Sequence, residues 1–489
     1  MLDEAHWPKA EWTLPNAVRR QAAKYGDRVF STFYDGSELT FAGLDDESEK
    51  LATGLAQLGV QPGDRVMMLG LNSKPFILAW LAVQKIGAIF VPVNTELKGA
   101  FLEHQVRNSE PRVVFVDAEL RGAFDTLSGA VDCIETTVVN GDCPALPGSK
   151  KVDFEVLAAT PADSSLMVDS AVNDVCTIMY TSGTTGPSKG VLMPHGHCLV
   201  FGNSMARAFE LTEDDKMFVC MPFFHAMGLT IQMIGCLLSG TPTHVVRRFA
   251  ATTWVEDIRR SAATVTFGLG VIPEFIFRQP PTPHDRDHKL RKMVAVPIAE
   301  EWGHAFEERF GVRLLQGYGM TECNIPAWYD LNDPLIPGCA GPIIDELFDV
   351  RIVDPDTDEP VAAGEVGEIV IRPKEPSCFM AGYFRMPERT VDAWRNLWFH
   401  SGDAGRFDEQ GRLFFVDRIK DCIRRRGENI SSFEIEQVLN EHPDVSETAV
   451  VGVRVEGAGG EEEVKACVVP AGAEPEPTVL LDWCVERMP

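Results

Sequence analysis

Arg65-Val66-Met67-Met68-Leu69-Gly70-Leu71 is an apolar run led by a single charge; a second apolar run spans Pro75 to Ile86 and a third Ala88 to Val93. The first and third have the length of buried strands, whereas the second, with proline near its start, has the length of a helix. Together they read as one β-α-β crossover, and that reading decides the fold class. On the N-terminal side, Thr40 opens a helix whose Leu44, Leu51, Leu55 and Leu58 recur at helical spacing before Gly59, the expected stop. On the other side, strand-like segments at Arg112 to Val116, Val175 to Tyr180 and Thr264 to Phe267 alternate with helical ones such as Ala299 to Phe310. The alternation predicts a mixed α/β architecture of sheets covered by helices. A chain of 489 residues, 45% of them apolar, divides into two or three units with cores of their own.

The formal charge of -27 excludes phosphate backbones and anionic lipid as broad-surface partners, so no nucleic acid is expected. Twelve scattered cysteines form no C-x-x-C pair and no Cys/His cluster of zinc spacing, which reads as buried thiols of a cytoplasmic protein. The longest plainly apolar run, Phe76 to Val83, is far too short for a membrane span, and Met1 to Leu14 lacks the organisation of a leader.

The chemistry starts at Thr181-Ser182-Gly183-Thr184-Thr185-Gly186-Pro187-Ser188-Lys189-Gly190. Glycines allow close approach of backbone N–H groups to an anion, the hydroxyls add short donors, and Lys189 adds a point charge, so the stretch suits a polyphosphate. It is not the ordinary phosphate loop, which needs glycine before the lysine, Ser or Thr after it, and a helix beyond. Here Val191-Leu192-Met193 continues as a strand. A further motif, Gln316-Gly317-Tyr318-Gly319-Met320-Thr321-Glu322, follows the strand-like Val312 to Leu315 and sets its polar groups at a strand's carboxyl end, where open α/β sheets carry their sites. Trp398-Phe399-His400-Ser401-Gly402-Asp403 and Asp417-Arg418-Ile419-Lys420-Asp421 come next, the latter marking a domain boundary.

These motifs, in this order, resemble those of the acyl-activating, adenylate-forming enzymes, which include acyl-CoA synthetases and the adenylation domains of nonribosomal peptide synthetases. Ser188 stands where that family usually has proline. The resemblance implies a large N-terminal domain (1–417) of layered α/β sheets with a β-barrel-like part, and a small mobile α+β C-terminal domain (418–489). It implies that Thr181, Ser182, Gly183, Thr184, Thr185 and Lys189 hold the phosphates, that Tyr318 and Gly319 meet adenine, and that Thr321 touches the α-phosphate. Glu322 is then the Mg²⁺ ligand, Asp403 and Arg418 the ribose contacts, Lys420 the pivot and Gly427 part of the tunnel for the CoA thiol arm. Phe224, His225, Gly268, Gly270 and Trp328 are expected around the acid. The family's C-terminal glycine-lysine motif does not occur before Pro489, and the native protein is expected to continue past it.

The implied activity is that of an AMP-forming acid:CoA ligase using ATP, Mg²⁺ and CoA, an acyl-CoA synthetase of fatty acid metabolism in the broad sense. Within the family, Gln279-Pro280-Pro281 and the segment Arg309 to Leu315 look most like crotonobetaine/carnitine-CoA ligases, while another small or medium carboxylic acid is equally compatible. Two other readings stay open: an enzyme that loads a carrier protein, and a catalytically silent nucleotide binder. The oligomeric state is left open too, with a homodimer as one option.

Overall fold

The structure, a computed structural model, describes residues 2, 7–127, 132–183, 186–270, 272–296, 298, 302–418, 422–425, 428–440, 442–454, 462–472 and 475–488. The crossover that decides the fold class is present as strand Arg65–Leu69, helix Lys74–Lys85 and strand Ile89–Pro92, the two strands parallel with Val66 opposite Phe90. Ser73 caps the helix by accepting the Phe76 N–H, and Pro75 occupies its first turn. The helix Phe41–Gln57 starts on Thr40, whose hydroxyl accepts the Gly43 N–H at 2.9 Å.

Three sheets organise the large unit. The crossover belongs to an eight-stranded sheet running from Gly382–Tyr383 through Gly186–Pro194, Val175–Gly183, Ile89–Pro92, Arg65–Leu69 and Val113–Asp117 to Thr136–Asn140 and Lys150–Asp153. A seven-stranded sheet, parallel except at its last pair, carries Arg313–Leu315, Lys292–Val296 and Val265–Leu269 at one end. A five-stranded antiparallel sheet that includes Phe399–Phe407 and Arg412–Arg418 takes the place of the barrel-like part.

The period of two in the strands explains the layering. Val66, Met68, Val113 and Phe115 face the main core, which is shared with the seven-stranded sheet and filled by helices Lys74–Lys85 and His195–Ala208. Met67, Leu69, Val114 and Val116 face a second core on the opposite side. In the seven-stranded sheet Met217 and Val219 point inward while Phe218 belongs to the core of Trp254 and Phe306 on the far side. Both sheets are thus covered on both faces, which is why their strands are continuously apolar.

The small unit has its own core around Ile423, Leu439, Val450 and Leu480. Its strand Glu428–Ser431 lies against Val175–Gly183, and its helix Pro477–Arg487 against Gly99–Ser109. Among the described residues no helix is long and apolar enough to cross a membrane.

Candidate active site

The phosphate-binding stretch is the end of a long antiparallel hairpin, with Thr181 in register with Lys189 and Gly183 with Gly186. Its second strand continues through Val191-Leu192-Met193, as the absence of a helix signal predicted. Thr184 and Thr185 lie outside the described residues, as do Lys420 and Gly427; for Ser182, Gly183 and Arg418 only the backbone is described. The Arg418 backbone stands opposite Asp403 across the antiparallel pair.

After the strand Arg313–Leu315 the chain turns into a hairpin, Gly317–Met320 with Asn324–Trp328, rather than into a helix. The turn needs two special residues. Asn324 has φ +70°, a conformation asparagine tolerates, and a Cβ on Gly319 would stand 2.3 Å from the Asn324 carbonyl oxygen. This hairpin holds Tyr318, Thr321 and Glu322 along one cavity of about 1380 Å³, whose lining also includes Thr181, Lys189, His225, Trp328 and Asp403.

Two polar pairs organise the cavity. Glu322 is buried, and its Oε1 accepts hydrogen bonds from Thr181 Oγ1 at 3.4 Å and from the Tyr383 hydroxyl at 3.0 Å. Lys189 Nζ lies 3.4 Å from the same hydroxyl and 4.4 Å from the ring centroid of Tyr383. At the second pair the Tyr318 hydroxyl donates to Asp403 Oδ2 at 2.8 Å. Burial, and then the Asp403 charge, raise the Tyr318 phenol well above its ordinary range, so it stays a donor. One face of Tyr318 stacks on Phe415 at 6.2 Å.

The strand that carries Asp403 is braced at its start. The guanidinium groups of Arg351 and Arg372 lie over the ring of Trp398, 4.5 and 4.6 Å from its centroid. Gly402, at φ +72°, donates its N–H to Glu368 Oε1 at 3.0 Å.

Three contributors were missed by the sequence reading. Tyr383 sits on the two-residue strand Gly382–Tyr383, too short to show a period. Its segment is laced to both halves of the site: Met380 N–H donates to the Glu322 carbonyl at 3.0 Å, and Ala381 and Phe384 donate to Leu192 and Gly190 at 2.8 Å. Glu368, the brace of Gly402, stands on the strand Gly367–Pro373 outside all of the motifs singled out above. His197, inside a buried helix, donates from Nε2 to the Thr321 carbonyl at 2.8 Å, while the Asn324 amide, 3.4 Å away, donates to its Nδ1. Burial pushes this imidazole down to about 4, so it is neutral.

That shift has a measurable consequence. Between pH 6.5 and about 4 the unfolded chain takes up a proton at His197 that the native state refuses, so stability falls as pH falls through this window. His197→Gln is expected to recover up to roughly 3 kcal/mol of this acid-induced loss. Melting temperature followed from pH 7 to 4 for both proteins checks it, and parallel curves would refute it. A second expectation concerns Tyr383→Phe. Removing the hydroxyl shared by Lys189 and Glu322 is expected to lower kcat/KM for ATP about tenfold, roughly the worth of a hydrogen bond to charged groups. Steady-state kinetics at saturating acid measures this.

Two of the residues expected around the acid stand elsewhere. Phe224, His225 and Trp328 line the cavity, but on the strand Val265–Leu269 the lining residues are Phe267 and Leu269. Gly268, between them, faces the other side of the sheet, where a Cβ would meet Met293 Cε at 2.5 Å. Gly270 is in the turn beyond, at φ +59°, donating its N–H to Val296 at 2.7 Å.

The profile described as AMP-binding enzyme matches residues 18–384, and that described as AMP-binding enzyme C-terminal domain matches residues 434–489. A crotonobetaine/carnitine--CoA ligase of Salmonella typhi is 31% identical over 462 residues, covering 92% of this chain and 87% of the relative. A solved structure of a putative long-chain-fatty-acid CoA ligase from Rhodopseudomonas palustris, 29% identical, superposes with a TM-score of 0.72 over 83% of this chain and 99% of the other. The o-succinylbenzoate CoA synthetase of Bacillus subtilis, 24% identical, shares the fold with a TM-score of 0.82 over 98% of this chain and 92% of its own. With both profiles matched and one relative aligned along nearly the whole length, the chain belongs to the AMP-binding enzyme family and stands close to its acyl-CoA ligases.

Proposed function

We propose that the protein activates a carboxylic acid with ATP to an acyl-AMP and transfers the acyl group to CoA. The observation that carries this reading is Glu322, a buried carboxylate tied to the phosphate hairpin, in the same cavity as the Tyr318–Asp403 pair. Thr181, Ser182, Gly183, Thr184, Thr185 and Lys189 hold the β- and γ-phosphates, Tyr318 and Gly319 flank adenine, Thr321 meets the α-phosphate, and Asp403 with Arg418 takes the ribose. An acid oxygen attacks the α-phosphorus, and pyrophosphate leaves with the electrons of the broken P–O bond. The CoA sulfur, having lost its proton, then attacks the acyl carbon and AMP departs. Holding the acid and ATP in line removes most of the entropic barrier to the first step.

Mg²⁺ fits beside Glu322. That carboxylate has the hydroxyls of Thr181 and Tyr383 next to it, and Mg²⁺ takes one or two carboxylates together with substrate phosphates. Bound there it supplies charge neutralisation for the departing pyrophosphate. In the second half-reaction the small unit, residues 418–489, turns about Lys420 and brings the Gly427 strand to the thiol arm; the contact of Glu428–Ser431 with the phosphate hairpin strand supports this. A cytoplasmic location is supported by the cysteines described, which are free and mostly buried.

Purified protein incubated with MgATP and a panel of acids tests the reading, with pyrophosphate followed first and AMP then measured with and without CoA. Pyrophosphate release that depends on acid, and turnover that depends on CoA, are expected. No release with any acid would overturn the adenylate step; release without CoA dependence would assign carrier loading.

A further inference from the structure

The cavity continues from the nucleotide site into a chamber between two walls. One is a face of the helix His195–Ala208, with Phe201, Ser204 and Met205 turned to the cavity at helical spacing. The other is one face of the seven-stranded sheet, where Phe267, Val294 and Leu315 stand side by side in register across three parallel strands. Among the described residues, no charged side chain of these two walls lines the cavity. Lys292 shares the strand face of Val294, but its ammonium donates to the Phe209 carbonyl.

The acidic residues of the cavity are carried by other elements. Glu322 and Asp403 belong to the nucleotide site. Asp356 and Asp358 lie between two strands of the five-stranded sheet, Glu368 on one of them and Asp392 in the helix Pro387–Ala393, and Arg395 lies 3.4 and 3.5 Å from the Asp358 and Glu368 carboxylates. Two of the chamber's aromatic rings are also turned away from any bound group. Phe209 and Phe267 stack on each other at 5.3 Å with 21° between planes, so those faces are turned on one another rather than toward a bound cation. A cation between these two walls would lose its hydration without gaining a carboxylate from either of them, or a face of the Phe209–Phe267 pair.

Ser204 is the exception to the apolar lining. A serine inside a helix commonly bonds back to the carbonyl one turn earlier, but the buried hydroxyl of Ser204 has no hydrogen-bond partner. An unmet hydroxyl in an apolar wall is satisfied by one neutral hydrogen-bonding group on a ligand.

Resting on the acyl-activating reading above, we propose that the acid activated here is uncharged beyond its carboxylate. It has an apolar body, aryl or medium-chain aliphatic, that accommodates one neutral polar substituent against Ser204. The betaines for which the Salmonella relative is named are excluded from this chamber.

Four probe acids decide it by acid-dependent ATP–pyrophosphate exchange: benzoate, octanoate, crotonobetaine and γ-trimethylammonium butyrate. Benzoate or octanoate is expected to exceed both betaines at least a hundredfold in kcat/KM; a betaine equal to or above both would overturn the proposal while leaving the adenylate reading intact. Binding of non-reacting acyl-sulfamoyl adenosines with phenyl, heptyl or trimethylammonium arms gives a readout that needs no turnover, and the same order is expected. If none of these analogues binds while ATP does, the chamber is not the acid site; if ATP fails to bind as well, the adenylate reading itself falls. For Ser204→Ala, the kcat/KM ratio of the best monohydroxybenzoate to benzoate is expected to fall about tenfold, and an unaltered ratio for all three isomers would remove Ser204 from the proposal.

Discussion

Glu322→Gln is expected to lower kcat/KM for pyrophosphate release about a thousandfold while the protein stays folded. The replacement has the same shape, and its amide oxygen still accepts from the Tyr383 and Thr181 hydroxyls that Glu322 binds at 3.0 and 3.4 Å. What disappears is the negative charge that would share a cation with the phosphates. Losing one preorganised electrostatic contact to a developing charge typically costs about 10²–10³ in rate, or roughly 3–4 kcal/mol. Single-turnover release of pyrophosphate at saturating ATP, with Mg²⁺ titrated, measures it. A loss below tenfold, or an unchanged Mg²⁺ dependence, would take the metal away from this residue. Because burying a charge is costly, the melting temperature of the variant is expected to hold or rise.

Asp403→Ala is expected to raise KM for ATP about a hundredfold and also to destabilise the protein, two effects with separate origins. The affinity loss follows from removing a charged acceptor for two ribose hydroxyls, each such bond being worth about 1.5–3 kcal/mol. The stability loss comes from Tyr318, whose buried hydroxyl donates to Asp403 at 2.8 Å and would be left without that acceptor. A buried donor left with no better acceptor than the Met320 thioether, 3.7 Å away, costs about 1–3 kcal/mol. Adding Tyr318→Phe to Asp403→Ala removes the poorly satisfied donor, so the double variant should regain part of the stability and none of the ATP affinity. Melting curves and ATP kinetics on the three proteins check both halves. Equal KM for wild type and Asp403→Ala would withdraw the ribose assignment.

Local signals read well where one segment carries the whole pattern. The cap at Thr40, the crossover from Arg65 to Val93 and the strand character after Lys189 all follow from spacing within a dozen residues, and each is present within two to three residues of its expected bounds. The motif around Tyr318 was read as reaching a strand's carboxyl end, and the structure places it there as a hairpin whose turn depends on Gly319 and Asn324. Tyr383 was not legible, because a two-residue edge strand has no periodicity and owes its place to bonds with Glu322, Leu192 and Gly190. Gly268 shows a different limit. Its strand was recognised, but which parity of the strand faces the cavity depends on what packs on each side.

The chain's own spacing of apolar residues, glycines and hydroxyls therefore determined the mixed α/β class and the candidate phosphate and nucleotide motifs, since these are properties of neighbours along the backbone. Tertiary structure alone decided that Tyr318 donates to Asp403, 85 positions away, and that Tyr383 joins Lys189 to Glu322. It also decided that the helix and sheet walls beside them meet without a charge. The physical reason is that hydrogen bonds and desolvation act over a few ångströms in space, whatever the separation along the chain.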